Sequence, residues 1–392
     1  MEPEIFPVGP NSAKGTATKA DSSAPLAAPS ADAIAPIDEY RGLRWIFIGS
    51  DGLRAGWSVV LFLILSILFM ATLNSVANAF AASLHRVKTG VFGPTTAIIG
   101  ELVSALAILC AGMLMAILEQ RRLQDYYLSG SRRVFHFFSG LVGGLVSLSA
   151  LVGALAWGGW LQFGPVALSG AAILKYAVLW GAAFLLTGLF EEGSFRCYLQ
   201  FTFTRGINYW WALGIVGAVC LELLLTTKGN DALGVYVFAL LGIAPCLFLH
   251  LKKVEGAGFW QAAWVTSTLF GFIHISNNGE NWVGIFAASL VGFVFCVSVR
   301  LTGSAWWAIG WHAGWDWAET YLYGAADSGN VASGHLLTTD PTGNAIWSGG
   351  TNGPEGSLLI LPIILLVLAA ILAIYGRGKT TLLELPVRDH AA

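Results

Sequence analysis

The chain has 392 residues, 56% hydrophobic and 11% charged, with a formal net charge of -2 and a mean hydropathy of +0.68. A soluble domain carries about 25% charged residues, so a water-soluble globular protein is excluded. No basic excess marks a nucleic-acid partner.

Residues 1–40 are rich in Ala, Pro and Ser. No basic segment followed by an apolar core precedes a cleavage site, so the stretch does not read as a secretory signal. It is expected to be a disordered cytoplasmic tail, because it cannot bury enough surface to fold. A membrane domain over 41–376 and a short cytoplasmic tail over 377–392 follow.

A helix crosses a bilayer with about 20 apolar residues. The spacing predicts about ten such helices, at 57–82, 95–118, 137–160, 171–190, 207–226, 232–250, 258–275, 282–300, 304–323 and 357–376. Two or three of these also fit a re-entrant or interfacial helix. The fold class is therefore all-α and polytopic. The 16 Trp, 23 Phe and 10 Tyr suit the membrane–water interface, and the 47 Gly suit close helix approach in lipid.

Lys and Arg near helix ends set orientation. Arg41, Arg44, Arg54, Arg121, Arg122, Arg132, Arg133, Arg196, Arg205, Lys252, Lys253, Arg300, Arg377 and Lys379 fall on one side, which is then cytoplasmic. The opposite loops hold Arg86, Lys88 and Lys228, whereas 159–170 and 324–356 hold no Lys or Arg. An even number of spans with both termini inside fits this bias, in what reads as a bacterial inner membrane. The Gly-, Ser-, Thr- and Asn-rich loop 324–356 reads as a flexible outer connection. Cys110, Cys197, Cys220, Cys246 and Cys296 lack metal or redox spacing and read as small buried apolar residues.

Three clusters of ionisable residues interrupt the apolar runs, and such groups are costly in lipid. In Phe190-Glu191-Glu192-Gly193-Ser194-Phe195-Arg196, a continuous helix sets Glu192 against Arg196 four residues on. Glu191 then points about 100° away, as a carboxylate without a local partner, which suits a general base. The plainer reading is that these charges mark the cytoplasmic end of helix four. In Phe270-Gly271-Phe272-Ile273-His274, the histidine closes an apolar run, where a structural hydrogen-bonded histidine is also common. In Trp311-His312-Ala313-Gly314-Trp315-Asp316, His312 and Asp316 share one helix face, and Glu319 adds an acid one turn on. Groups from three helices are able to converge in a bundle core.

In order and internal spacing the three motifs resemble those of the CPBP intramembrane proteases, the group with the type II CAAX prenyl endopeptidases and the bacterial Abi-type proteins. That family carries E-E-x-x-x-R, F-x-x-x-H and H-x-x-x-N/D, matched here by Glu191-Glu192 with Arg196, Phe270 with His274, and His312 with Asp316. The resemblance implies an intramembrane endopeptidase acting on a peptide or a prenylated protein. Glu191 would activate water with help from His274, His312 and Asp316 would stabilise the oxyanion or help hold a metal, and Glu192 with Arg196 would brace the site. Two mechanisms stay open: direct activation of water, or a divalent ion such as zinc on Glu191, His274 and His312. The H-E-x-x-H spacing of zincins is absent. Residues 207–250 add length between the first two motifs and read as an inserted hairpin on an eight-helix core.

One expectation conflicts with another. The helix limits place Glu191 at the cytoplasmic end of helix four and His274 near the outer end of helix seven, where they cannot meet. Either helix four runs deeper, with 181–204 partly in the membrane, or helix seven is shifted. An ion-coupled transporter would also use intramembrane Glu, His and Asp, although no internal repeat is evident. A non-catalytic scaffold or immunity protein on the same fold is a third reading.

Overall fold

The computed structural model describes residues 44–49, 52–83, 93–226, 232–254 and 256–376. Both predicted tails, 1–40 and 377–392, lie outside the described residues, as do Arg86, Lys88 and Lys228.

Helices stand at all ten expected places. They are α1 (Ala55–Ser83), α2 (Pro94–Leu118), α3 (Arg133–Trp157), α4 (Ala171–Gly206), α5 (Tyr209–Thr226) and α6 (Ala232–Lys252). Then come α7 (Ala257–Ile273), α8 (Trp282–Thr302), α9 (Trp306–Asp316, prolonged by the π-helical stretch Trp317–Tyr323) and α10 (Ile360–Tyr375). Among the described residues seven are long and apolar enough to cross a membrane: α1 to α6, and α8. The other three are α7, α9 and α10. At 1.5 Å per residue, the 17 residues of α7 reach about 25 Å. The chain is an integral membrane protein with an all-α polytopic fold.

Large side chains remain bare on the outside, among them Ile67, Ile117, Leu174 and Leu225 at 67–78% exposure. In water such a surface would drive association; in a bilayer it faces lipid tails. Inside, α9 is held at close range by α3. A Cβ at Gly140 or Gly144 would overlap the backbone carbonyl of Trp307 or Trp311, and one at Gly310 or Gly314 would overlap that of Phe137 or Leu141. Both helices thus carry a Gly-x-x-x-Gly face against the other, the small-residue contact that lets backbones touch where lipid gives no hydrophobic drive. From the other side, a Cβ at Gly188 of α4 would lie 2.9 Å from the Ile309 carbonyl. The helix bearing His312 and Asp316 is therefore fixed between two backbones.

Helix four differs from the expected span 171–190. It runs through the first motif as a 36-residue helix, including a π-helical stretch Gly193–Leu199. Glu191 consequently sits near its middle. Hydropathy averaging stops the helix at Glu191-Glu192 because it treats every charge as solvated. Here Arg196 is 0% exposed and stands 3.1 Å from Glu192. Arg196 is thus not one of the loop cations that set orientation. The far end of α4 is held by Arg205, whose Nη1 lies 3.1 Å from Glu119, a carboxylate that also accepts from Tyr126 and Tyr198.

The segment 324–356 is likewise not a flexible connection. Strand β1 (Leu161–Phe163) pairs antiparallel with β2 (Thr339–Pro341), Leu161 opposite Pro341. The Leu336 N–H donates to the Tyr321 carbonyl and the Ala167 N–H to that of Leu336. Ala325, Ala332 and Asn352 are buried. Polar composition suggested a loose loop, but these residues spend their backbone groups on one another and on the ends of α3 and α9. They form a packed cap.

The hairpin α5–α6 contributes buried Val216, Leu223, Val235 and Phe238 to the core that includes α7. The described cysteines are all free thiols, four of them buried, in keeping with their reading as apolar core residues.

Candidate active site

His312 is the centre of the polar cluster. Its Nδ1 is 2.8 Å from Glu192 Oε1, and since an ionised carboxylate only accepts, Nδ1 carries the proton. Glu192 Oε2 faces Arg196 Nε at 3.1 Å in ionic contact, without the alignment of an N–H···O bond. The guanidinium lies over the Phe270 ring at 4.2 Å and 5.3 Å from that of Phe295, a stack that holds a buried cation. Glu192, itself held by Arg196, therefore fixes one edge of the imidazole.

The other nitrogen, Nε2, faces two further carboxylates: Asp316 Oδ2 at 3.4 Å and Glu191 Oε2 at 3.8 Å. The i,i+4 spacing of His312 and Asp316 does what the sequence implied. Glu191 does have a partner, but on another helix. Its side chain is 20% exposed, against 0% for Glu192, so the adjacent glutamates occupy different surroundings. Both π-helical stretches begin just after a site acid, Glu192 and Asp316. Such bulges are frequent at functional sites, and hydrophobic periodicity does not signal them.

His274 is the C-cap of α7 and opens a 3₁₀ turn, His274–Ser276. Its Nδ1 meets the Phe270 carbonyl at 2.7 Å. A carbonyl only accepts, so Nδ1–H donates and Nε2 is left for other partners. His274 lines a small cavity of about 50 Å³ together with His312 and Asp316. Its walls include Phe270, Phe295 and Trp311, with Val291, Ile360 and Ile364 from α8 and α10. Helix seven keeps its expected place, while helix four runs past the first motif and takes Glu191 away from a helix end.

Several acids near the cavity escaped the sequence reading. Glu101 of α2 interacts electrostatically with Glu191 and His312. Glu280 and Glu355 line the cavity. Burial pushes the Glu280 carboxyl above its ordinary value, pushes Glu355 up to about 8, and raises Asp327 as well. These residues sit singly in turns, and only a three-dimensional arrangement gathers them.

Among the described residues, one trio of candidate ligands brings its donor atoms within 4.8 Å of one another: Glu319, Asp327 and Glu355. Glu191, His274 and His312 do not form such a set. As they stand, these three do not fit a shared zinc ion, whose ligand bonds are about 2.0–2.2 Å.

Residues 245–318 match the family model described as type II CAAX prenyl endopeptidase Rce1-like. In this segment the chain is similar to the Rce1-like members of the CPBP family. The Rce1-like segment contains Phe270, His274, His312 and Asp316, while Glu191, Glu192 and Arg196 precede it. No curated protein and no solved structure matches the chain.

Proposed function

We propose that this Rce1-like protein is an intramembrane endopeptidase that hydrolyses a peptide bond with water activated by Glu191. The observation that carries the reading is the convergence of Glu191 and Asp316 on His312 Nε2, beside a cavity that His274 shares. The 3.8 Å between Glu191 Oε2 and His312 Nε2 is too long for a direct hydrogen bond, and this oxygen has no other hydrogen-bond partner, so it is free to take a proton from a water molecule at the site.

In this reading Glu191 takes a proton from that water, and the hydroxide attacks the scissile carbonyl carbon. His274 Nε2 is the second group at the water. The carbonyl π-electrons move to oxygen, and His312, with a proton on Nε2, donates a hydrogen bond to the oxyanion. When the tetrahedral species collapses, the C–N bond breaks and Glu191 returns its proton to the departing amine. Glu192 and Asp316 are positioning residues: they hold the His312 ring and balance its charge, as a carboxylate does for the histidine of a catalytic triad.

The apolar wall of Val291, Ile360 and Ile364 suits a substrate delivered from lipid, either a prenylated protein C-terminus or an apolar peptide. The test uses the purified protein in detergent with a farnesylated C-terminal peptide and an unmodified apolar peptide. Glu191→Ala, His274→Ala and His312→Ala should each lower cleavage by about 10²–10⁴-fold while the protein still inserts. Full activity in Glu191→Ala would end the reading.

A further inference from the structure

Glu319, Asp327 and Glu355 take no part in the chemistry above. They come from three places: the π-helical end of α9, the start of the cap and the turn Pro354–Gly356. Each nonetheless offers a carboxylate oxygen within 4.8 Å of the other two.

Two of the three are already oriented by neutral donors. Thr320 donates to Asp327 Oδ2 at 2.8 Å, and Trp315 Nε1 donates to Glu355 Oε1 at 3.0 Å. Glu319 is different. It is 0% exposed, and neither of its oxygens has a well-formed hydrogen bond; the Trp315 N–H that acts on it is given to Glu355. A buried carboxylate without a partner is among the costlier groups a fold can hold. The cap 324–356 supplies no Lys or Arg to neutralise it.

The geometry suits one kind of partner. A calcium ion binds oxygens at about 2.3–2.6 Å, so ligands on opposite sides of it stand about 4.6–5.2 Å apart. Three oxygens within 4.8 Å of one another are able to surround such an ion, with water filling the remaining positions. The donor set is carboxylate only, without the nitrogen or sulfur that zinc favours, which selects hard cations.

We infer that Glu319, Asp327 and Glu355 bind a hard divalent cation, calcium or magnesium, which clamps the cap onto the end of the helix that carries His312 and Asp316. Glu319 is the core ligand, and the two cap acids close on it. The site shares no residue with the proposed proteolytic set, so each stands or falls without the other.

The full chain, purified in detergent and stripped with EDTA, is titrated separately with Ca²⁺ and Mg²⁺ while thermal unfolding is followed. Bound metal is then counted after gel filtration. A saturable rise in Tm with one ion per chain is expected, unchanged in Glu191→Gln and lost in Glu319→Gln. If Glu319→Gln is not recovered folded, Asp327→Asn and Glu355→Gln report instead, each weakening the response at least tenfold. A Tm indifferent to both ions overturns the site, as does a rise that survives all three substitutions. A Tm that climbs on acidification but ignores both cations also overturns it, and assigns the trio to shared protons.

Discussion

Glu191 and Glu192 are neighbours in the chain with different surroundings, and the proposed function gives them separate tasks. Glu192 is fully buried between His312 and Arg196. Removing its charge leaves a guanidinium buried among aromatic rings, a loss of about 3–5 kcal/mol. Glu191 is partly exposed and makes only a 3.8 Å contact. Glu192→Gln should therefore lower Tm sharply, whereas Glu191→Gln should leave Tm nearly unchanged and remove activity. Thermal unfolding and peptide cleavage on the same two preparations separate these outcomes; equal Tm losses in both would contradict the division of roles. The sequence already distinguished the two residues, because i,i+4 pairing assigns Arg196 to Glu192. It did not show that Glu192 also orients His312, since that bond crosses 120 residues.

At the scale of elements, the contact of α3 with α9 decides where His312 stands. Gly144→Val would drive a side chain into the Trp311 carbonyl, which forces the helices apart at the histidine. Overpacking of this kind costs about 1–3 kcal/mol, and activity should fall further than stability. Gly153 lies on the same helix with nothing within 4 Å of its Cβ position. Gly153→Ala should leave activity intact and stabilise α3 by about 0.4–1 kcal/mol. A Tm comparison with a cleavage assay checks both; an active Gly144→Val would show that the close approach is dispensable. The glycine content announced close packing in general. Which glycines face a backbone depends on the rotation of each helix about its axis, and that is a property of the pair. Helix four shows a related effect. Its charges look like an end when each residue is scored alone, and like an interior once Arg196 and His312 are present to satisfy them.

For the molecule as a whole, stability should depend on pH through acids at the cap side of the cavity. Glu280 accepts from the Asn281 N–H and from Asn352 Nδ2 at 3.0 and 2.8 Å, yet burial still raises its carboxyl above the ordinary value. A raised folded-state value means that the folded protein holds this proton more tightly than the unfolded chain. Its contribution is fully present below the ordinary carboxylate range and is lost as pH rises through the folded-state value. Tm should fall over that interval, and Glu280→Gln should flatten the fall. Parallel Tm–pH curves for the two proteins would remove Glu280 from the explanation. The nearby His274 opposes the shift without reversing it.

The sequence by itself determined the membrane class, the places of ten helices and the partners joined by helical spacing: Glu192 with Arg196 and His312 with Asp316. These follow from local quantities, namely how apolar a stretch is and which residues share a helix face. The tertiary structure alone decided that helix four runs through its charged motif, and that 324–356 folds into a cap. It also decided that Glu191 meets His312 and that Glu319 meets Asp327 and Glu355. Each of these depends on whether a polar group finds a partner far away in the chain. A buried charge that is paired and one that is exposed look the same in sequence, and differ only in what stands opposite.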